Sequence, residues 1–460
     1  TGQTLIIRMK ERASEVRAYL YYGIFEEKNV ITKAVRIENH GKSPVVLSKC
    51  LSGCLDFQYG EYELITFPGR HAMERSLERN KVGRTKLEVG SIRGTSSHQY
   101  NPAVILCTPG TTEDHGECYG ECLVYSSNFI ASAQKDQRGQ IRVLMGIHPE
   151  QFSFCLNEGE AFDTPQVILS YSDEGFTKLS RQYHRILKEH MCRGKYCRQK
   201  RPVLLNNWEA TYFDFNEEKL LKIARQASEL GIEMLVLDDG WFGKRDDDNS
   251  GLGDWYVNEK KLGGSLKQLG EKIHAMGMCF GIWFEPEMIS EDSDLYRQHP
   301  DWALRIPGRE PNRARNQLVL DMSREDVREY LLERLTDILA NAPIDYVKWD
   351  MNRSLCDIYS HVYTGKRRGE VYHRFILGVY DLLEKFLARF PDILLEGCSG
   401  GGGRFDAAML YYSPQIWCSD NTDAVNRLSI QYGTSFFYPV SAMGAHVSAT
   451  PNHQTGRDIL

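Results

Sequence analysis

The first part of the chain alternates apolar and polar side chains with a period of two. Residues 4–8, 30–37 and 141–145 are clear runs of this kind, and turn-forming clusters at 39–42 and 108–110 separate such runs. Side chains two residues apart lie on the same face of a strand, so the pattern predicts antiparallel strands with one buried face. We expect residues 1–174 to form an antiparallel β-sandwich. We expect this sandwich to be incomplete, because the pattern starts in what should be mid-sandwich.

The pattern changes near residue 175. Apolar residues then recur at helical spacing: Phe176, Leu179, Tyr183 and Ile186. This spacing predicts an amphipathic helix from residue 175 to about residue 191. A basic stretch, 198–202, follows it, and we interpret residues 175–201 as a linker between two domains.

From residue 202 onward, short apolar strands with polar or charged ends alternate with helical stretches, which is typical of parallel βα units. The predicted strands are residues 203–208, 234–239, 279–285, 318–321, 346–350, 393–398, 415–420 and, least clearly, 443–448. Eight units favour a closed (β/α)8 TIM barrel over an open sheet. We expect residues 202–460 to form this barrel without its final helix, as part of a longer protein.

Composition excludes several classes of partner. Lys and Arg number 56 and Asp and Glu number 62, which gives a net charge of -6, and no segment concentrates positive charge as a nucleic-acid surface would. No apolar run approaches the roughly 20 residues that cross a bilayer, and the first residues do not resemble a signal peptide. We therefore expect a soluble protein that binds neither nucleic acid nor membrane.

The twelve cysteines are scattered, and several of them, such as Cys107, Cys155 and Cys279, fall inside predicted strands. Buried single thiols are typical of a reducing compartment, so we predict a cytoplasmic protein without a disulfide framework. The close cysteine pairs lack the two-residue gap of a zinc knuckle and a matching second pair. We predict neither a metal nor a cofactor.

The polar ends of the predicted strands are the candidate site, because βα loops build the active site at the carboxyl rim of a barrel. Strand alternation places Tyr346, Lys348 and Asp350 on one face, which must be the lumen. A neighbouring ammonium group lowers a carboxyl pKa, so Lys348 would keep Asp350 ionised and suited to nucleophilic attack. The alternative is a buried salt bridge that only fixes the strand.

Asp420 ends a strand two positions further along. Its Cα should lie about 10 Å from that of Asp350, given strands spaced by about 4.8 Å. The carboxyl groups could then be about 5 Å apart, as in retaining glycosidases, or about 6.5–9.5 Å apart, as in inverting ones, and the spacing does not decide between them. The alternative for Asp420, and for Asp423, is a helix N-cap after the seventh strand.

Five tryptophans fall at or near strand ends: Trp208, Trp241, Trp255, Trp283 and Trp417. Sugar rings stack on aromatic planes, so the group favours a carbohydrate cleft, although any single Trp is more often a core residue. Gly400 to Gly403 follow the sixth strand, but no Lys-Ser or Lys-Thr completes a phosphate-binding loop there. Nucleotide chemistry is therefore excluded.

At these strand ends the sequence resembles glycoside hydrolase family 36, the bacterial α-galactosidases, over essentially its whole length. The motifs are NNWEATYF (206–213), DDGWFG (238–243), WFEPEM (283–288), KWDMNR (348–353), EGCSGGGGRFD (396–406) and SDNTDA (419–424). The resemblance implies a retaining α-galactosidase with Asp350 as nucleophile and Asp420 as acid/base. Its substrates would be terminal α-galactosides such as melibiose and raffinose.

The resemblance also implies the substrate-binding residues: Trp208, Asp238, Asp239, Arg315, Lys348, Asn352, Cys398, Gly400 and Asp423. Cys398 and Gly400 match positions that border the 2-hydroxyl in family members acting on galactose, which favours galactose over N-acetylgalactosamine. For acid catalysis near neutral pH, we expect the neighbouring carboxylate to raise the pKa of Asp420.

The chain departs from the family at its edges. Family members usually have a longer N-terminal sandwich, with a loop that helps to close the active site of a neighbouring subunit, and a C-terminal β-domain. The resemblance implies that the full-length protein is a homo-oligomer, specifically a tetramer. Its other expected partner is the small-molecule α-galactoside.

Three rival functions remain at this point. Asp238, Glu285, Asp321 and Asp350 could instead hold a cation in a metal-dependent barrel enzyme, although Lys348 would repel it. The chain could be a non-catalytic sugar-binding remnant, or a family member that transfers galactose to an acceptor, as the plant raffinose synthases do.

Overall fold

The computed structural model describes residues 2–445, 447 and 450–456. Within the described residues up to 172, the regular elements are strands and one short 3-10 turn. The strands are β1 Gln3–Lys10, β2 Val16–Phe25, β3 Val30–Asn39, β4 Val45–Leu47, β5 Gly53–Phe57, β6 Glu63–Thr66, β7 Glu78–Lys81, β8 Leu87–Ser91, β9 Ala103–Cys107, β10 Cys118–Leu123, β11 Phe129–Lys135, β12 Ile141–Ile147, β13 Phe154–Leu156, β14 Ala161–Asp163 and β15 Val167–Ser172.

These strands form antiparallel sheets, as the period-two pattern predicts. A nine-stranded sheet runs β1-β2-β3-β15-β10-β9-β6-β7, with β14 paired to β3, and a four-stranded sheet runs β5-β12-β11-β8. The two sheets meet at β10 and β12. Ile105, Phe129 and Met145 are fully buried in the shared apolar core. The predicted β-sandwich is confirmed.

The predicted helix after the sandwich is also confirmed. Helix α1 spans Gly175–Ile186 and continues as one π-helical turn, Leu187–Met191. Its buried face includes Leu179 and Tyr183, and the Tyr183 hydroxyl donates a hydrogen bond to the Ile168 carbonyl at 3.0 Å. This bond fixes the helix against β15.

Strands and helices alternate after the linker. The strands are β16 Leu204–Asn206, β17 Met234–Leu237, β18 Cys279–Phe284, β19 Met288–Ile289, β20 Leu318–Val319, β21 Tyr346–Trp349, β22 Leu394–Gly397, β23 Gln415–Trp417 and β24 Met443–Gly444. The helices are α2 Trp208–Thr211, α3 Glu217–Glu229, α4 Glu259–Leu262, α5 Leu266–His274, α6 Asp294–Gln298, α7 Glu325–Asn341, α8 Val371–Arg389, α9 Ala407–Tyr412 and α10 Ala424–Ser435.

Seven of these strands pair in parallel, in the order β16-β17-β18-β21-β22-β23-β24. The side chains of β21 alternate between the two faces of the sheet, as predicted. Tyr346 packs with Val236 and Leu394 in a small inner cluster, whereas Trp349 contacts Phe386 of α8 on the outer side. All carboxyl ends of a parallel sheet lie at one edge, so the polar residues that end these strands share one rim.

The predicted fourth barrel strand is wrong in its placement. Leu318–Val319 forms an antiparallel hairpin with Met288–Ile289, and β18 pairs directly with β21 through Ile282 and Val347. The apolar run satisfied the strand pattern, but its backbone bonds go to β19 and leave no place for it between β18 and β21. In the predicted eighth strand, Met443–Gly444 pairs with β23, while His446 and Ser448 lie outside the described residues.

In the part of the chain that the structure describes, no helix is both long enough and apolar enough to span a bilayer. All twelve cysteines are free thiols, and most of them are buried. Burial raises the pKa of Cys50 to about 12 and that of Cys107 to about 11.

The sandwich core contains one uncompensated acid. Glu121 of β10 is almost fully buried, and neither of its carboxyl oxygens has a hydrogen-bond partner. It points toward Gly53 of the opposite sheet, where a Cβ atom would lie 3.0 Å from its Oε2. Burial raises the pKa of Glu121 to about 7, an effect that the charge of Lys33 only partly offsets. The side chain is therefore tolerated mainly in its neutral form.

We predict that Glu121→Gln reduces the pH dependence of stability. Because the folded-state pKa is raised above its usual 4.5, the group stabilises the fold below pH 4.5, and this contribution is lost as the pH rises through about 7. The unfolding free energy of the wild type should fall by up to about 3 kcal/mol over this interval on account of Glu121. Urea unfolding at pH 5 and pH 8 measures the difference.

Glu158→Gln, at an exposed position, serves as the control and should leave the pH dependence unchanged. Equal losses between pH 5 and pH 8 in the wild type and in Glu121→Gln would contradict the prediction.

Candidate active site

Every strand of the parallel sheet from β16 to β23 ends in a polar residue at the same rim. The residues at or just after these ends are Asn206, Asp238, Glu285, Asp350, Cys398 and Asp420. Their positions follow from strand length and register, because each strand is only three to six residues long and stops where the apolar run stops. The predicted rim is confirmed.

Asp350 is buried and held by four hydrogen-bond donors. Its Oδ1 accepts from the backbone N–H of Met351 at 2.8 Å and of Gly400 at 3.2 Å. Its Oδ2 accepts from Trp283 Nε1 at 3.1 Å and from Asn352 Nδ2 at 2.9 Å. Donors of this kind fix the orientation of the carboxyl group.

A second carboxyl group, that of Glu285, lies beside Asp350. Its Oε1 accepts hydrogen bonds from the Asn352 backbone at 2.5 Å and from Gln317 Nε2 at 2.7 Å. Burial, reinforced by the charge of Asp350, raises the pKa of Glu285 to about 7. Burial, together with the neighbouring carboxylate, therefore favours a proton on Glu285 near neutral pH.

Lys348 does not pair directly with Asp350, which corrects the predicted partner. Its ammonium group donates to Asp238 Oδ2 at 3.1 Å and lies 5.2 Å from the centre of the Trp417 ring. The Asp238 carboxylate also accepts from Asn206 Nδ2 at 2.5 Å. Lys348 belongs to β21 and Asp238 follows β17, so this salt bridge spans the intervening strand β18.

Three other predicted site residues are Asp239, Arg315 and Trp208. Asp239 is buried against the Arg245 guanidinium, with contacts of 2.8–3.2 Å, and Arg315 is exposed on the loop before β20 in a left-handed conformation, with φ of 51°. Trp208 begins α2, is half-buried, and makes edge contacts with Tyr212 and Phe213.

A glycine turn after β22 connects the two candidate acids. Gly400 donates its N–H to Asp350, and at Gly401 a Cβ atom would lie only 2.8 Å from the backbone nitrogen of Asp420. Cys398, at the start of the turn, is buried, and its pKa is raised by burial and by the charge of Asp350. The close approach of the backbone therefore requires glycine between the acids.

Asp420 borders two open cavities. One, of about 480 Å³, is lined by His71, Arg315, Asn352 and Gly400 as well as by Asp420. The other, of about 740 Å³, lies beside Glu209, Asn421 and Asn426. The smaller cavity thus brings together four of the predicted site residues, Arg315, Asn352, Gly400 and Asp420.

The pKa of Asp420 differs from our expectation. Burial alone would raise it, but the hydrogen bond from His71 Nε2 to Oδ2, at 2.8 Å, and the charge of Lys348 outweigh burial and hold the pKa below its usual value. Trp417 Nε1 donates to Oδ1 at 3.0 Å. The predicted raised pKa is wrong, because cationic neighbours rather than Asp350 dominate this carboxyl group.

Asp423 is engaged in the structure by a helix terminus and by a neighbouring loop. It is fully buried and caps α10, accepting from the backbone N–H groups of Val425 and Asn426, while Gln454 and Thr455 donate to its other oxygen. These donors overcome the effect of burial and lower its pKa to about 2. The structure therefore shows Asp423 as the cap of α10, the alternative considered from the sequence.

The tryptophans divide into two groups. Trp241, Trp255 and Trp283 are 0–2 % exposed and pack with Phe242 and Phe284 in the core. Trp241 and Trp255 therefore offer no surface on which a sugar ring could stack. Trp208 and Trp417 are half-buried at the rim.

The rim also contains residues that the sequence pattern did not reveal. His71, Thr95 and His98 come from sandwich loops and line the smaller cavity. His98 Nε2 lies 2.5 Å from the Gly400 carbonyl. These residues lie in loops of the predicted sandwich, and nothing in their sequence indicates contact with a barrel that begins more than 100 residues later.

The four carboxylates of the metal-dependent rival are each engaged by protein groups. Asp321 accepts from Ser360 Oγ at 2.5 Å and from Ser323, and Asp238 is paired with Lys348. Among the residues that the structure describes, no group of three or more His, Cys, Asp or Glu side chains is arranged to hold a metal ion.

The fold and rim define a carbohydrate-active barrel, and comparison with known proteins specifies the family. The Melibiase family profile matches residues 161–459, and that of the glycosyl hydrolase family 36 N-terminal domain matches residues 1–157. The chain belongs to glycoside hydrolase family 36.

Two curated relatives are close in sequence. The chain is 58% identical over 456 residues to the bifunctional alpha-galactosidase/sucrose kinase AgaSK of Mediterraneibacter gnavus. This match covers 99% of this chain and 48% of AgaSK. It is 51% identical over 456 residues to alpha-galactosidase Mel36A of Lactobacillus acidophilus. That match covers 99% of this chain and 62% of Mel36A. The chain thus spans about half to two thirds of the length of these relatives.

Solved structures share the fold. The crystal structure of the GH36 alpha-galactosidase AgaA from Geobacillus stearothermophilus superposes with a TM-score of 0.97 at 51% identity, covering 99% of this chain and 63% of AgaA. Variants of AgaA have been solved in complex with raffinose and with stachyose, with the same score, identity and coverage.

We predict that Gly401→Ala lowers stability more than Gly400→Ala. Both glycines have positive φ, of 80° and 52°, so each alanine costs roughly 1 kcal/mol or more in backbone strain. Only at Gly401 would the new methyl group also collide with Asp420. Urea unfolding of the two variants measures both costs, and a loss at Gly400 equal to or larger than that at Gly401 would refute the proposed close approach.

Proposed function

We propose that the chain is the catalytic part of a retaining α-galactosidase that hydrolyses terminal α-galactosyl residues of oligosaccharides such as melibiose and raffinose. The observation that supports this most directly is the Asp350 carboxylate, fixed by four donors and linked to Asp420 by a glycine turn. Membership of the family, and the raffinose and stachyose complexes of AgaA, support the substrate class.

In this mechanism Asp350 attacks the anomeric carbon while Asp420 protonates the glycosidic oxygen. The aglycone leaves, and Asp420 then removes a proton from the water that releases galactose with its α-configuration retained. The donors on Asp350 orient its lone pairs toward the sugar, and Glu285, when protonated, adds no second negative charge beside the nucleophile.

The remaining rim residues have binding roles in this proposal. Asp238, Asp239, Lys348, Asn352 and Arg315 would bind the galactose hydroxyls. Trp208 would form a wall of the galactose site, and Cys398 and Gly400 would border the 2-hydroxyl. The ion pairs Lys348–Asp238 and Arg245–Asp239 support the hydroxyl-binding role, because each fixes a carboxylate that can accept from a sugar.

Location and assembly belong to the same proposal. The twelve free thiols support a reducing, cytoplasmic location. Leu5, Ile7 and Met9 of β1 are 42–53 % exposed and support contact with further chain or with another subunit in a homo-oligomer, which we propose to be a tetramer for the full-length protein.

We predict that Asp350→Ala and Asp420→Ala each lower the turnover of 4-nitrophenyl α-galactoside by about 10²-fold or more, since each removes a group that acts on the reacting bonds. Asp392→Ala, at a surface carboxylate paired with Lys195, is the control and should retain activity. Near-normal turnover in either active-site variant would reject the assignment.

Azide, used as an external nucleophile, distinguishes the role of nucleophile from that of acid/base. It should rescue Asp350→Ala with formation of the β-azide, because one displacement inverts the anomeric centre. With an activated substrate it should rescue Asp420→Ala with formation of the α-azide, because the covalent intermediate still forms. Identification of the azide anomers by NMR is the measurement, and the opposite pairing of product and variant would exchange the two assignments.

A further inference from the structure

One loop of the sandwich, residues 68–75, is docked on the barrel rim next to Asp420. Arg75 is 4 % exposed and anchors the loop. Its guanidinium group donates to the Gly402 carbonyl at 3.1 Å, to Thr434 Oγ1 at 2.6 Å and to the Cys418 carbonyl. The adjacent Glu74 accepts from Ser419 Oγ at 2.5 Å. Buried, charge-assisted bonds of this kind fix the position of a loop.

The anchored loop places the imidazole of His71 on the Asp420 carboxyl group. His71 Nε2 is 2.8 Å from Asp420 Oδ2, while Trp417 Nε1 donates to Oδ1 at 3.0 Å. Each carboxyl oxygen of Asp420 is therefore hydrogen-bonded to the ring nitrogen of a different side chain. Asn421 Nδ2 donates to the Ala72 carbonyl at 2.9 Å, so the segments that contain His71 and Asp420 are bonded to each other beside the pair as well.

The charges around the pair determine where its proton resides. The hydrogen bond to Asp420 raises the pKa of His71, burial opposes this, and Glu74 adds to the increase while Arg315 reduces it. From the barrel, Lys348 lowers the pKa of Asp420. The ring of His98 lies 5.5 Å from that of His71, and burial lowers the pKa of His98, so it adds little positive charge.

We propose that His71 is a positioning residue that shares the acid/base proton with Asp420, so that the pair, and not the carboxyl group alone, supplies and recovers this proton. The proposal rests on the proposed function, because it assigns the partner of the acid/base. It follows from the direct contact of His71 Nε2 with the reacting carboxyl group and from the anchoring of the loop by Arg75.

The proton balance is simple. The resting pair holds one proton between Nε2 and Oδ2. As the C1–O bond breaks and Asp350 bonds to C1, the proton passes from the pair to the leaving oxygen, and both partners are then unprotonated. When water attacks C1 and the ester to Asp350 breaks, the water proton returns to the pair. The pair can thereby donate a proton in the first step and recover one in the second, although the pKa of the Asp420 carboxyl group is lowered.

His71→Gln tests this proposal, since glutamine keeps a hydrogen-bond donor but cannot hold the proton. His71 is 61 % exposed at its side chain, so folding should be retained, and urea unfolding checks this. We expect kcat/KM for melibiose, whose leaving group needs a proton, to fall about 10- to 100-fold at pH 7. We expect the alkaline limb of its pH profile to move to lower pH.

For 2,4-dinitrophenyl α-galactoside, whose leaving group needs no proton, we expect kcat/KM of His71→Gln to equal that of the wild type. The matched control is His274→Gln. His274 forms the same contact, Nε2 to Asp345 Oδ2 at 2.8 Å, at the opposite end of β21, and its replacement should leave both substrates and the pH profile unchanged.

The outcomes separate the proposals. An unmoved alkaline limb in His71→Gln, or equal losses on both substrates, would overturn the shared proton while leaving the α-galactosidase proposal intact. Absence of hydrolysis by the wild type, or full activity of Asp350→Ala, would instead overturn the proposed function, and with it the assignment of His71.

Discussion

Burial of acidic groups at the barrel mouth is the constraint on which the site depends. An isolated carboxylate removed from water costs several kcal/mol, so each one needs donors or a cation. The protein meets this requirement with ion pairs, such as Glu287 with Arg404 at 2.7 Å and Asp239 with Arg245, and with backbone N–H groups for Asp350. The same donors that make burial possible orient the carboxylates for chemistry, so stability and function use one set of bonds.

Much of this could be predicted from the sequence, because period-two and strand-helix patterns report which face of an element is buried. The sandwich, the helix after it, seven parallel strands and the shared rim all follow from local burial. The fourth strand was misplaced because an apolar pair such as Leu318–Val319 satisfies a hairpin as well as a barrel strand, and local pattern does not encode the pairing partner.

The site was predictable where a residue ends a strand and not where its role depends on long-range contacts. Asp350 and Asp420 stand where the register requires. Asp423 shares a motif with Asp420, yet it caps α10, and only the three-dimensional path of residues 454–455 shows that its oxygens are already occupied. Lys348 pairs with Asp238 rather than with Asp350, because the strand register sets Lys348 level with Trp283, and Ile282, the residue before Trp283, pairs with Leu237, the residue before Asp238.

The Arg75 guanidinium bonds to Gly402, Cys418 and Thr434 and so joins the sandwich to the barrel. The surroundings of Asp420 are therefore set by contacts between the two parts of the chain as well as by the barrel itself. A substitution in the sandwich that loosened the Arg75 contacts would move His71 away from Asp420, although neither member of that pair had been altered.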